Sequence, residues 1–141
     1  YEATQSAGVY QNVMDFPKKF DTMVGERGVT LSGGQKQRLA LARAWIRKPK
    51  LLILDDSLSA VDTKTEELIL GNLRQARIDD PDMSVIMVSH RVSTIQDSDQ
   101  IIVLEDGKVI EKGTHESLLA ADGYYATIHH KQLLEEQYAQ N

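Results

Sequence analysis

Two adjacent glycines, Gly33 and Gly34, stand at the entry to a run of good helix formers, Gln35-Lys36-Gln37-Arg38-Leu39-Ala40-Leu41-Ala42-Arg43-Ala44, with Leu31 and Ser32 leading in. Apolar residues recur near Leu39, Ala42 and Ile46, and serine caps helices, so a helix starts at or just after Ser32. Glycine costs roughly 0.5–1 kcal/mol relative to alanine inside a helix, so a pair at the entry implies that something comes very close to the backbone. A helix N-terminus presents unpaired N–H groups and the positive end of its dipole, which together suit a phosphate. On that reading the Ser32 hydroxyl and the Gly33 and Gly34 amides hold an anion, with Gln35 and Lys36 nearby. Taken alone, Ser-Gly-Gly also serves as an ordinary glycine-rich N-cap.

The following stretch decides between them. Pro49 stops the helix, and Leu51-Leu52-Ile53-Leu54 reads as a short buried strand that ends in two acids, Asp55 and Asp56. Leu-Ser-Gly-Gly-Gln, a long helix, a hydrophobic strand and an acidic pair, in that order, resemble the nucleotide-binding domain of ABC transporters from the signature motif through the second Walker motif and beyond. The resemblance covers nearly the whole chain. It implies an α/β fold: the C-terminal part of a P-loop NTPase (RecA-like) ABC ATPase domain, with part of the helical subdomain and a mostly parallel sheet lacking the Walker A strand. Residues 1–48 then belong to the helical, signature-bearing subdomain, 49–113 to half of the RecA-like core and 114–141 to C-terminal helices.

Further along, Ser57 to Asp62 form a loop, and Thr63-Lys64-Thr65-Glu66 is a capping box for a helix to about Arg77. The family resemblance makes Ser59 to Asp62 the D-loop, which crosses the dimer interface; Asp62 is equally suited to an N-cap, and the two roles are compatible. Ser84 to Val88 reads as a second buried strand delivering Ser89-His90-Arg91 at its C-terminal end, where α/β sheets gather their ligand groups. The family's switch histidine falls on His90. Two further strands, Ile101 to Leu104 and Lys108 to Glu111, are joined through Asp106-Gly107, a two-residue hairpin signal. Thr114 caps a short helix through Leu119, and a final helix runs from about Tyr124 to Gln137. His115-Glu116 lacks the second histidine of a zinc-protease helix, and His129-His130 reads as a solvated pair. Before the signature, Tyr1 to about Val13 are weakly helical. Thr22 to Gly28 then match the Val-Gly-Glu-Arg-Gly segment that exporter-type members lay against their transmembrane domains, which directs Glu26 and Arg27 to a membrane subunit.

The resemblance implies ATP and Mg2+ as cofactors. It assigns Asp55 to the metal, Asp56 and His90 to catalysis, and Ser32, Gly33, Gly34, Gln35 and Asp62 to nucleotide binding. Two such domains sandwich two nucleotides head to tail, so the signature serves ATP held by the opposite subunit. The expected function is that of an ATP-hydrolysing subunit of an exporter. Its partners are a second nucleotide-binding domain and transmembrane domains, at the cytoplasmic face of the cell membrane, and its cargo is drug- or lipid-like. Two departures qualify the match. The acid after the metal aspartate is usually glutamate, and Asp56 is shorter by one methylene, about 1.5 Å; a misplacement of about 1 Å can cost on the order of 100-fold in rate. That pattern resembles the degenerate-site subunit of a bacterial heterodimeric multidrug exporter, whose intact signature completes a partner's site. Second, no Gly-x-x-x-x-Gly-Lys-Ser/Thr loop occurs between Tyr1 and Asn141, so the cradle for the α and β phosphates is missing. The chain therefore reads as cut inside the helical subdomain, with exposed sheet edges and little ATP binding of its own.

Composition bounds the alternatives. A net charge of −5 argues against a nucleic-acid partner, and the basic run from Lys36 to Lys50 is explained by a solvated helix face with cations near its C-terminal dipole. No cysteine is present, so disulfides and thiolate metal sites are excluded. The alternatives kept are a non-catalytic partner that lends Ser32 to Gln35, and a soluble ABC ATPase, against which Gly25 to Gly28 and the absence of heptads argue. A serine hydrolase built on Ser89 and His90 lacks a nucleophile elbow.

Overall fold

The computed structural model describes residues 1–25 and 28–139, which form two compact units, Tyr1–Val88 and a second from Ser89 onward. In the first unit, α1 (Glu2–Ser6) and α2 (Tyr10–Met14) are separated at Gly8, whose φ of +65° ends the first helix. The weakly helical stretch is thus two short helices.

Helix α3 (Gly33–Trp45) begins where the serine predicts. It ends before Pro49, with Arg47 and Lys48 amides closing tight turns onto Ala44 and Trp45 and Lys48 at φ +45°. The chain then enters β1 (Leu51–Asp55), crosses through α4 (Thr63–Asp79) and returns as β2 (Ser84–Val88), parallel to β1 with Leu51 opposite Ser84 and Asp55 opposite Val88. The cap of α4 lies one residue earlier than the capping box from Thr63 predicts. The Asp62 carboxylate accepts the Thr65 amide at 3.0 Å, so an acid on the positive helix end takes the capping role and Thr63 becomes the first helical residue.

The core of this unit gathers Val9 and Val13, Leu41 and Ala42 of α3, Leu52 and Leu54 of β1, and Ile69 and Leu73 of α4. Both strands read as fully buried from their continuous apolar runs, and here the structure differs. Leu52 and Leu54 are buried, whereas Ile53 is 60% exposed and Leu51, Ile86 and Val88 are about half exposed. Strand periodicity puts these four on one face, opposite the core, and no layer covers it among the described residues. Parallel strands of this composition are built to be covered on both faces.

The second unit opens with a short helix, α5 (Val92–Ile95), absent from the sequence reading. An antiparallel hairpin follows, β3 (Ile101–Glu105) and β4 (Lys108–Gly113). Its turn is Asp106-Gly107 with φ +49° and +74°, the paired positive values of a type I′ turn. Thr114 caps α6 (His115–Ala120) through a box with Ser117, and α7 spans Tyr124–Ala139. Val92, Ile101, Leu118 and Tyr125 form the core. The expected solvated histidine pair divides. His130 is exposed, but the His129 ring packs edge-on to His115, 5.2 Å between centroids, and its buried Nδ1 has no hydrogen-bond partner among the described residues. Burial, then the His115 and His130 charges, hold the His129 pKa below its usual value. Among the described residues no helix is long and apolar enough to cross a membrane.

Two substitutions separate the faces of β1–α4. Ile69→Ala, at a fully buried site, lowers unfolding free energy by about 2–5 kcal/mol in denaturant titration. Ile53→Thr leaves stability nearly unchanged and reduces self-association in sedimentation velocity, because the side chain removed from water-exposed apolar surface is not a core contact.

Candidate functional site

The N-terminus of α3 carries the predicted anion-binding residues, and its polar bookkeeping is specific. Ser32 Oγ accepts from the Gln35 amide at 3.2 Å, and Gln35 Oε1 accepts from the Ser32 amide at 2.9 Å. This capping box uses both side chains as acceptors only. The Ser32 hydroxyl proton, the Gln35 amide group and the first-turn amides of Gly33 and Gly34 remain as donors, since helix geometry gives those two amides no intrahelical carbonyl. What the segment offers outward is therefore a cluster of donors at a positive helix end. Ser32, Gly33 and Lys36 are exposed, and Gly34 and Gln35 are half-buried.

Gly34 has a second reason to be glycine. A Cβ there would stand 2.5 Å from the Ala60 carbonyl oxygen, so the backbone's close approach is to the chain's own loop 56–60. A Cβ on Gly33 meets only ordinary contact, 3.5 Å from Ala60 Cβ, which leaves that face open. The first turn is also braced by Arg38, whose Nε donates to the Gly34 carbonyl at 3.2 Å and whose Nη1 donates to the Gly8 carbonyl.

The loop against which α3 rests begins at the acidic pair. Asp55 ends β1 and Asp56 follows, both exposed. The Asp56 amide donates to the Val88 carbonyl at 2.9 Å, extending the β1–β2 ladder by one bond. Its φ of +48° then turns the chain out of the strand. Aspartate is among the few side chains that enter this region readily. Asp62 closes the loop as the cap of α4. Hydrogen bonds from Thr65, hydroxyl and amide, and more weakly the Arg38 charge hold its carboxyl below the usual 3.8.

The structure thus brings Ser32 to Gln35, the acidic pair and Asp62 around a single loop in the first unit. His90 lies in the second unit, where Gln132 of α7 clamps its backbone: Gln132 Nε2 donates to the His90 carbonyl at 2.6 Å and Oε1 accepts the Val92 amide at 2.8 Å. The imidazole stays exposed. Glu26 and Arg27 lie outside the described residues; Met23 and Val24 before them are exposed. Gln132 and Gln37 were missed by sequence reading, the latter because its partners lie about 20 residues away and no local spacing reports them.

A family model described as "ABC transporter" matches residues 2–59. The chain belongs to the ABC transporter family. It is 48% identical over 127 residues to ATP-binding cassette sub-family B member 5 of Mus musculus, covering 90% of this chain and 10% of that protein. To an ATP-dependent lipid A-core flippase of Photobacterium profundum it is 46% identical over 128 residues, 91% of this chain and 21% of the flippase. The solved structure of a bacterial Atm1-family ABC exporter with ATP bound superposes with a TM-score of 0.85 at 42% identity, covering 93% of this chain and 23% of that one. The chain therefore spans about a tenth to a fifth of these curated relatives. Its α/β architecture, with a parallel β1–β2 pair, is that of the ABC ATPase domain.

The donor set fits a phosphate. Among the described residues no group of three or more His, Cys, Asp or Glu converges, and Asp55 is a single exposed carboxylate at the end of β1.

The cap at Asp62 is a pH-dependent contributor to stability. Its folded pKa is lowered, so its stabilisation is present above the unfolded value of 3.8 and lost as pH falls through the folded one. Asp62→Ala lowers the melting temperature at pH 7, and the gap between variant and parent closes in thermal melts taken below the 3.8 of an ordinary carboxyl.

Proposed function

We propose that the chain is the C-terminal part of a nucleotide-binding domain that hydrolyses ATP with Mg2+ to drive an ABC exporter. The observation that carries this reading is the donor-rich first turn of Ser32 to Gln35, whose capping box engages the two side-chain oxygens as acceptors and leaves donors outward. In this reading those donors meet the γ-phosphate of ATP bound by a second nucleotide-binding domain. Asp55 holds the metal of the chain's own nucleotide, Asp56 orients the attacking water, and His90 faces the γ-phosphate. Asp62 ends the loop that crosses between the two sites. Bound magnesium supplies charge neutralisation for the phosphates; the chain's residues supply orientation and a carboxylate to align water. Residues 1–48 serve as the signature-bearing helical part, 49–113 as half of the RecA-like core, and 114–141 as C-terminal helices.

The exporter assignment draws on the flippase and exporter names among the relatives. The assembly sits at the cytoplasmic face of a membrane, with transmembrane domains as the second partner, and its cargo is drug- or lipid-like. The uncovered face of Leu51, Ile53, Ile86 and Val88 is where the remaining layer of such a domain packs. We further propose a heterodimer in which this chain's own site is the slow one, because Asp56 is one methylene shorter than glutamate.

Magnesium-ATP turnover tests the reading. The chain alone gives no turnover and no magnesium-ATP shift in a thermal melt, for want of an α,β-phosphate cradle. The whole subunit, in which a phosphate cradle joins this chain, supports turnover once assembled with transmembrane domains and a second nucleotide-binding domain. A clear thermal shift of the isolated 141 residues by magnesium-ATP contradicts it. In the assembly, Asp56→Glu raises turnover at this chain's site. The same substitution lowers the melting temperature, because glutamate tolerates φ +48° less well than aspartate.

A further inference from the structure

Gln37 lies one turn beyond the two glycines of α3, on the face turned to the loop 56–60, and its amide is fully used there. Nε2 donates to the Asp56 carbonyl at 3.2 Å and to Ser59 Oγ at 2.9 Å, while Oε1 accepts the Ala60 amide at 2.9 Å. Ser59 Oγ in turn donates to the same Asp56 carbonyl at 3.0 Å, so the network closes on itself. Asp56 is the residue at φ +48°, and a left-handed aspartate persists where its surroundings over-determine it. On the other side, the Ala60 carbonyl lies against Gly34.

We propose that Gln37 is a positioning residue that locks the donor segment 32–35 to the backbone turn aiming Asp56, so that one side chain sets both together. The proposal rests on the functional reading above and deepens it. In that reading the donor segment serves the partner's nucleotide and Asp56 serves the chain's own, so the Gln37 amide joins the two sites through a single rigid contact. The side chain touches neither nucleotide. It acts by holding the carbonyl of Asp56, and hence the direction in which the carboxyl leaves the strand, in a fixed relation to the first turn of α3. Sequence alone hides this, since Gln37 looks like one more polar residue of a solvated helix.

The test uses Gln37→Ala and the near-isosteric Gln37→Glu, which keeps the shape and the acceptor for Ala60 but loses both donated bonds. In the assembled exporter, each lowers kcat for ATP about tenfold or more with KM within about twofold, the pattern of misplaced rather than missing groups. A packing role alone tolerates Gln37→Glu, so full activity in that variant overturns the proposal. A second readout needs no turnover. In hydrogen exchange on the unsubstituted protein and Gln37→Ala, the Ala60 amide exchanges at least about tenfold faster once its acceptor is gone. An Ala60 amide indifferent to Gln37→Ala overturns the proposal, as does faster exchange with kcat unchanged. Absence of turnover in the unsubstituted assembly instead overturns the functional reading, and the two failures are thereby told apart. Should Gln37→Ala not fold, Ser59→Ala, which removes one of the three contacts, gives the same pattern more weakly or overturns the proposal by leaving kcat unchanged.

Discussion

The carbonyl of Ala60 sits where a side chain on Gly34 would be, and the Gln37 amide, donating two hydrogen bonds and accepting one, holds the surrounding loop in place. Most of the first unit's functional geometry follows from that docking. Because α3 approaches the loop backbone to backbone, its first turn has a fixed bearing relative to the end of β1. Because the loop is held at Asp56, Ser59 and Ala60, the left-handed turn after the strand is kept, and the chain reaches Asp62 in position to cap α4. Helix, loop and helix are thereby one element. The two glycines divide the work, Gly34 for the chain's own loop and Gly33 for whatever lies outside.

A second constraint is chemical. A capping box is commonly read as a stability device, and here it also sorts hydrogen-bonding groups. Each acceptor on Ser32 and Gln35 that faces the helix end is used internally, leaving donors outward. An anion meets the remaining donors, and the helix dipole adds in the same sense. The acidic pair opens the same loop, so a donor-rich helix turn and an acidic strand end are tied to one stretch of backbone. Such a division suits a chain that contributes half of each of two sites.

Local chemistry made part of this legible in advance. Ser32 announced the start of α3, and Asp106-Gly107 the hairpin, because each depends on the conformational preference of one or two residues. The acids after β1 followed from strand length and the sharp change in polarity. What escaped was non-local or a choice between equals. Thr63 and Asp62 both cap helices, and the acid at the positive end took the role. The apolar runs of β1 and β2 carry the composition of strands covered on both faces, and composition cannot say whether the second layer is present. His129 looked solvated beside His130, yet a helical step of 100° turned it toward His115. Gln37 gave no local signal at all.

The central claim is that Gly33 and Gly34 present their amides to a phosphate held by another subunit. Nitrogen-15 labelling of glycine resolves it, since the chain has only 9 glycines. The amide resonances of Gly33 and Gly34 are followed on adding a magnesium complex of a non-hydrolysable ATP analogue, first to the chain alone and then with a second nucleotide-binding domain present. The account predicts that both resonances shift only in the second case. Shifts of equal size in the chain alone, or none in either, contradict it.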